Sequence, residues 1–206
     1  RELTMFCGNF DFSNVGNTYI LNPSLTSEQI NEFSNLINSY KEFYTNKLNI
    51  PFEQAVTFIE TTPTSKYNGW MFVSYPSIFS IGWGENGLIS LFNPKIQDWY
   101  RPFIAHELGH FYFGTYKVFN SELGDMMSEG FAEFLSFELT NELIGKEVYT
   151  KKISDKIKAL EDFAPIPMGK IKGASEYDDR EFYVYYYAPI VFTAIKKEIG
   201  EEKMWK

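Results

Sequence analysis

The sequence predicts one α+β domain over residues 1–206, in which a small mixed sheet lobe is followed by a helical lobe. A long helical pattern comes first, short β-branched and aromatic runs follow it, and after Asn93-Pro94 the hydrophobic period stays helical. Residues 1–97 are therefore expected to form mainly the sheet lobe with one long helix. Residues 98–206 are expected to form the helical lobe.

Composition narrows the class of protein. The chain has 206 residues, of which 44% are hydrophobic, so it is long and apolar enough to bury a core. A net charge of −8 without a Lys/Arg cluster argues against nucleic acid as a partner. The longest apolar stretch, "VYYYAPIVFTAI", is too short for a transmembrane segment. The single cysteine, Cys7, excludes an internal disulfide and is expected to be a small buried hydrophobe.

The first helix is predicted in "NPSLTSEQINEFSNLINSYKEFYTNKLNIP", after a beginning of short strands and turns. Thr26 and Gln29 match a capping box, and Pro51 predicts the end of the helix. The apolar residues at helical spacing are Ile30, Phe33, Ile37, Tyr40 and Tyr44.

Four strands are predicted next, in "AVTFIE", "WMFVSY", "FSIGW" and "GLISLF". The remaining elements are predicted as helices. One carries both histidines, a second runs over about 127–144, a third covers "EVYTKKISDKIKALEDF", and a fourth runs over about 187–199.

Both histidines of the chain lie within the five residues "HELGH". In a helix, residues four apart project from one face, so His106 and His110 can bind a single ion. Glu107 lies one step around the helix, where it can reach a water on that ion without binding the metal. H-E-x-x-H on a helix thus predicts one Zn²⁺ with Glu107 as the general base. A histidine pair buried in the core is the alternative.

Catalytic zinc needs a third protein ligand and an open position for water. The sequence contains no further histidine and no usable cysteine, so the third ligand is expected to be a carboxylate. Glu129 lies at the start of the next helical pattern, "SEGFAEFLSFEL", with eighteen residues between it and His110. That interval allows the first helix to end, the chain to turn at Gly114 or Gly124, and a second helix to return.

The stretch "HELGHFYFG…DMMSEGFAEF" resembles the zinc signature of the aminopeptidase N family of gluzincin metallopeptidases, in which the second helix carries N-E-G-F-A. The spacing agrees without a gap. The resemblance implies that His106, His110 and Glu129 bind zinc and that Glu107 is the base. It also implies a thermolysin-like catalytic domain with the active-site cleft between the sheet lobe and the helical lobe.

Upstream, "GWGENGLIS" resembles the family's G-x-M-E-N segment on a sheet-edge strand. The resemblance implies that Glu85 binds the free α-amine of the substrate and that the backbone at Gly82 and Gly84 pairs with the substrate as an added strand. Gly84 stands where the family usually has Met, and the family's Trp before Gly-Leu-Ile is missing. Without the resemblance, "GWGENG" is typical of a hairpin turn.

Downstream, "YYYAPIVFTAIKKEIGEEKMW" is similar to the family's Y-x-K-G-A-x-V-L-x-x-L helix. The alignment places the family's catalytic tyrosine, a donor to the oxyanion, at Tyr185. The family's Lys-Gly pair is replaced by Tyr187 and Ala188. Tyr183, Tyr186 and Tyr187 compete for the role, and an aromatic packing run is the alternative.

The function expected from these residues is zinc-dependent hydrolysis of peptides or proteins, with release of N-terminal residues if Glu85 binds the free amine. The family's flanking domains have no counterpart in the sequence, which keeps a zinc endopeptidase open as an alternative. An inactive zinc-containing module that binds peptides or proteins is the other alternative. The chain begins at Arg1 rather than Met, which slightly favours an extracytoplasmic or secreted location. No signal peptide is visible, and the compartment stays open.

Overall fold

The computed structural model describes residues 7–61, 72–74, 77–82, 87–173, 177 and 179–206. The chain forms two compact units, residues 1–107 and residues 108–206. Their boundary lies ten residues after the predicted end of the sheet lobe, inside the helix that carries His106. Within the described ranges, none of the helices combines the length and the apolar character that a membrane span requires.

The first helix, α1 (Ser27–Leu48), begins at the predicted capping box. The hydroxyl of Thr26 accepts from the backbone N–H of Gln29 at 3.3 Å, and the Gln29 side chain accepts from the backbone N–H of Thr26 at 3.0 Å. The helix ends at Asn49, whose φ of 52° is left-handed. The capping-box prediction is therefore confirmed, and the end falls two residues before Pro51.

Within the described residues, five strands form one mixed sheet in the order β1-β2-β3-β5-β4. The strands are β1 (Phe12–Val15), β2 (Thr18–Leu21), β3 (Val56–Thr61), β4 (Phe72–Ser74) and β5 (Ile78–Gly82). Strand β3 pairs in parallel with β2 and β5, whereas β1 and β4 pair antiparallel with their neighbours. Phe33 of α1 contacts Phe58 edge-on at 4.8 Å between ring centroids, and Phe58 stacks on Phe79 at 4.8 Å, so aromatic packing joins helix and sheet.

Two predictions for this unit are wrong. The run "GLISLF" does not form a strand but a 3₁₀-helix, Leu88–Phe92. Its first N–H, from Leu88, donates to the buried Glu60 carboxylate at 2.9 Å instead of joining a ladder. Cys7 is exposed rather than buried, since it precedes the first strand of the sheet.

The helices that follow are α2 (Gln97–Gly109), α3 (Gly124–Leu139), α4 (Lys146–Ala159), α5 (Ala188–Ile199) and the short α6 (Glu201–Met204). The second predicted helix starts three residues early, at Gly124, and its last part, Thr140–Ile144, is a π-helical turn. Another π-helical segment, Phe182–Tyr187, precedes α5 and was not predicted.

Helix α3 packs closely on its neighbours through two glycines. A Cβ on Gly130 would lie 2.7 Å from the Cβ of Ala188 in α5. A Cβ on Gly109 would lie 3.2 Å from the Cα of Ala132, so the backbone of α3 approaches the end of α2 directly. The Gly130 contact leaves no room for a Cβ, whereas a Cβ on Gly109 would require its neighbour to shift by a few tenths of an ångström.

Candidate metal centre

Helix α2 and the turn after it present the H-E-x-x-H residues. His106 and Glu107 lie in the last turn of α2 and are buried, with 5% and 6% of their surfaces exposed. The helix ends at Gly109, so His110 is the first residue beyond it and not inside a helix as expected. The turn continues in the same sense, because the N–H groups of Phe111 and Tyr112 donate three residues back, to Leu108 and Gly109.

Helix α3 supplies the third candidate ligand. Glu129 lies in its second turn, and His106, His110 and Glu129 each offer one ligand atom such that the three atoms lie within 4.8 Å of one another. Two imidazoles and one carboxylate form the set of donors that catalytic zinc prefers. The structure thus brings together the three residues that the sequence predicts as ligands.

The hydrogen bonds of His110 test whether this set fits a metal. Its Nδ1 lies 3.1 Å from the backbone oxygen of Phe113. A carbonyl only accepts, so Nδ1 carries the proton and Nε2 is the ring nitrogen that can bind a metal. That Nε2 lies 3.3 Å from Oε2 of Glu129. A ring nitrogen and a carboxylate oxygen at this distance can share one cation, so the donor set fits a bound metal ion.

The Phe113 carbonyl is itself held in place. Ser128, the residue before Glu129, donates its hydroxyl to this oxygen at 3.0 Å. Gly114 has a φ of +131°, and a Cβ there would lie 3.0 Å from the Ser128 hydroxyl oxygen. The sequence predicts a turn at Gly114 or Gly124. The turn at Gly114 requires glycine, because it passes close to the Ser128 hydroxyl that bonds the carbonyl partner of His110.

Arg180 approaches Glu129 from the other side. Its Nη2 lies 3.7 Å from Oε1 of Glu129, and its guanidinium binds Asp125, four residues before Glu129 on α3. Sequence reasoning missed both residues. The spacing of Asp125 from Glu129 places the two carboxylates on one helix face and could have indicated the first. No signal in the sequence indicates Arg180.

Tyr185 lies next to the same carboxylate. It hydrogen-bonds with Glu129 and with Arg180, and the guanidinium lies 5.8 Å from the centre of its ring. Burial raises the pKa of the Tyr185 phenol well above its ordinary value, and the negative charge of Glu129 raises it further, while Arg180 acts in the opposite direction. The phenol therefore stays protonated and able to donate over the whole neutral range.

The neighbouring tyrosines have different surroundings. Tyr183 is fully buried and donates its hydroxyl to the backbone oxygen of Ile166 at 3.0 Å. Tyr186 stacks on Phe182 at 4.9 Å. Tyr187 packs edge-on against Phe163 at 6.2 Å. These contacts belong to packing, as the aromatic-run alternative expects for part of the segment.

Comparison with known proteins gives a likeness in structure but no match in sequence. No protein-family model and no curated protein matches the sequence. Among solved structures, the M1 zinc metallopeptidase from Deinococcus radiodurans, crystallised as a mutant, resembles this chain with a TM-score of 0.59 at 10% identity. The match covers 95% of this chain and 42% of that one. This likeness shows the fold alone. The chain has the mixed α+β fold of part of a zinc metallopeptidase.

The predicted amine-binding segment is described only at its start. Gly82 is the last residue of β5, where it pairs with Thr61 of β3. Gly84 and Glu85 lie outside the described residues. The roles predicted for Gly82, Gly84 and Glu85 therefore stay predictions.

A cavity of about 510 Å³ lies beside the N-terminal end of α3. Asp125 forms part of its wall and is also the partner of Arg180. The other lining residues are Phe119, Asn120, Ser121, Glu122, Lys172 and Gly173. The wall carries charges of both signs, so the cavity suits a polar group without selecting the sign of its charge.

Proposed function

We propose that this chain is a zinc-dependent peptidase. The observation that carries the proposal is the convergence of His106, His110 and Glu129 within 4.8 Å, with Glu107 buried beside the first of them. The likeness of the fold to a zinc metallopeptidase supports it. A purely structural zinc site has no need of a glutamate beside its ligands, so Glu107 favours catalysis.

In this proposal each residue has a separate task. His106, His110 and Glu129 hold the zinc ion, which when bound polarises the substrate carbonyl and makes water more acidic. Glu107 accepts a proton from the attacking water as the new carbon–oxygen bond forms. When the carbon–nitrogen bond breaks, Glu107 delivers that proton to the leaving amine. Tyr185 donates its phenol hydrogen to the developing oxyanion.

The support for Tyr185 as this donor is its position. Its hydrogen bond with Glu129 keeps it beside a proposed zinc ligand, where the oxyanion would form.

Release of N-terminal residues is the finer part of the proposal, and it rests on the resemblance of "GWGENG" to an amine-binding segment. If Glu85 binds a free α-amine, peptides with an acetylated N-terminus should resist hydrolysis. Equal cleavage of free and acetylated peptides at internal bonds would instead identify an endopeptidase.

The decisive test compares E107Q with wild type and with E147Q, a control at an exposed position of α4. E107Q should retain one zinc ion and lose about 10²–10⁴-fold in peptide hydrolysis, the usual effect of a missing general base. Chelation should abolish the activity of wild type and of E147Q, and added Zn²⁺ should restore it. Near-wild-type hydrolysis by E107Q would show that the base is misassigned. Zinc uptake without hydrolysis by wild type would favour the binding module.

A further inference from the structure

Arg180 is the centre of a charged cluster on the second unit. Its Nε donates to Oδ2 of Asp125 at 2.8 Å and its Nη2 donates to Oδ1 at 2.6 Å. Two parallel bonds of this kind fix both the position and the plane of a guanidinium. Asp125 therefore holds Arg180 in one orientation.

The two oxygens of Glu129 face different partners. Oε1 lies 3.7 Å from Nη2 of Arg180, and Oε2 lies 3.3 Å from Nε2 of His110. The carboxylate is thus turned so that one oxygen faces the guanidinium and the other faces the candidate metal position. Rotation of the carboxylate about its last bond would exchange these two environments.

We infer that Arg180 is a positioning residue, which keeps Oε1 of Glu129 occupied so that Oε2 alone is presented to the metal. This inference rests on the proposed function. It adds Arg180, and Asp125 as its anchor, to the residues that determine metal affinity. Outer partners of this kind orient a metal ligand without binding the metal.

Two different spacings in the sequence bring together the four residues of this cluster, Asp125, Glu129, Arg180 and Tyr185. Asp125 and Glu129 are four residues apart on α3 and share a face. Arg180 and Tyr185 are five residues apart, which in an α-helix, at about 100° per residue, would turn them about 140° away from each other. Arg180 lies two residues before the π-helical segment Phe182–Tyr187, and Tyr185 lies inside it. The wider i→i+5 turn of that segment reduces the angle between the two positions, and both side chains lie beside the Glu129 carboxylate.

Exposure separates this role from a role in folding. The Arg180 side chain is 45% exposed and that of Asp125 is 22% exposed. Exposed ion pairs contribute little to the stability of a fold. Replacement of Arg180 should therefore leave the free energy of unfolding of the metal-free protein nearly unchanged while altering how the metal is bound.

The test measures metal binding rather than activity. Wild type, R180Q and R180K are titrated with Zn²⁺ in competition with a chromophoric chelator, and the Co²⁺ forms are compared by visible absorption. R180Q should bind Zn²⁺ about 10–100-fold more weakly, as expected when an outer partner of a ligand is removed. R180K keeps the charge but loses the fork to Asp125, so its affinity should lie between the two. The control is K151Q, which breaks the exposed Lys151–Asp155 pair on α4 and should bind as wild type does.

Each outcome separates the two proposals. Wild type that takes up no metal would overturn the proposed function and with it this inference. Wild type that binds zinc, with R180Q and R180K equal to it in affinity and in Co²⁺ spectrum, would overturn the role of Arg180 alone.

D125N supplies a second test, because it removes the anchor and leaves the guanidinium in place. The double variant D125N/R180Q should bind zinc no more weakly than R180Q, and additive losses would contradict a shared role. If R180Q does not fold, R180K and D125N decide by the same measurements.

Discussion

Two glutamates of α3, Glu129 and Glu133, lie one helical turn apart and have opposite surroundings. Oε1 of Glu133 lies 3.0 Å from both Lys152 and Lys156 of α4, and its side chain is only 8% exposed. Glu129 is 20% exposed, and the guanidinium near it, at 3.7 Å, is bound more closely by Asp125. The Glu133 carboxylate is thus neutralised by two lysines, whereas Glu129 shares its arginine with Asp125.

The difference indicates which carboxylate belongs to the scaffold and which to the candidate site. A buried carboxylate is tolerated when cations and hydrogen bonds compensate for its lost hydration, as at Glu133. At Glu129, the oxygen that faces His110 lies where a metal ion would complete the compensation. The sequence alone does not distinguish the two glutamates, since both lie on the same helical face of "SEGFAEF".

The largest expected effect comes from exchanging each glutamate for glutamine. E129Q should weaken zinc binding by more than the about 10–100-fold expected from loss of an outer partner of a ligand. Peptide hydrolysis should be lost together with the zinc. E133Q should keep zinc but lose about 3 kcal/mol in free energy of unfolding, because two lysines are left without their carboxylate. Zinc content, peptide hydrolysis and urea unfolding of the metal-free proteins measure these quantities. Zinc loss in E133Q with zinc retained in E129Q would reverse the comparison.

A second pair of variants sharpens the contrast between site and scaffold among the tyrosines. At saturating Zn²⁺, Y185F should lower kcat by about 10²–10³-fold, as expected for an oxyanion donor. Y183F loses the buried hydrogen bond to Ile166 and should cost about 1 kcal/mol of stability with kcat unchanged. Steady-state kinetics and urea unfolding distinguish the two. A larger loss of kcat in Y183F would move the proposed role to another tyrosine.

Much of the fold could be predicted from the sequence because the signals are local. The capping box of Thr26 and Gln29 lies within four residues, and α1 begins where it predicts. The three candidate ligands follow from a spacing of four residues in one turn and one carboxylate at the start of the next helix.

The parts that could not be predicted depend on distant partners. "GLISLF" has the composition of a strand, but Leu88 is bonded by Glu60, a residue 28 positions away. Arg180 and Asp125 are 55 positions apart, and Tyr185 lies in a π-helical segment whose sequence, "FYVYYY", resembles any aromatic run. Hydrophobic period distinguishes helix from strand but does not distinguish an α-turn from a π-turn.

A third prediction concerns the two lysines of Glu133, which differ in their contacts with the π-helical segment. Lys156 donates to the backbone oxygen of Tyr185 at 2.7 Å and lies 4.2 Å from the ring centre of Tyr186. K156M should therefore displace Tyr185 and lower kcat by about 10-fold, less than the about 10²-fold that a 1 Å misplacement costs. K152M, the matched control, should lose stability but keep kcat. Zinc affinity should be unchanged in both, and equal kcat in the two variants would show that the Lys156 contact does not position Tyr185.

The smallest expected effect concerns Glu60 of β3, a buried carboxylate whose observed partners are neutral donors. It accepts from the backbone and hydroxyl of Ser24 at 2.6 and 2.7 Å and from the backbone of Leu88 at 2.9 Å. Burial raises the pKa of Glu60 above its ordinary value of 4.5, and these hydrogen bonds only partly oppose the rise. Glu133 is thus kept buried by two lysines and Glu60 by hydrogen bonds from neutral donors. At Glu60 the free energy of unfolding is therefore expected to depend on pH.

The sign of that dependence follows from proton binding. Because the folded state holds the Glu60 proton more tightly than the unfolded state, the folded state binds more protons between the two pKa values. The free energy of unfolding of wild type, relative to E60Q, should therefore fall as the pH rises from about 4.5 through the raised pKa, and should level off above it. Urea unfolding of both proteins over a pH series measures the difference. A difference that rises with pH would mean that the three donors outweigh burial, and neutral hydrogen bonds would then stabilise a buried carboxylate without the cations that Glu133 uses.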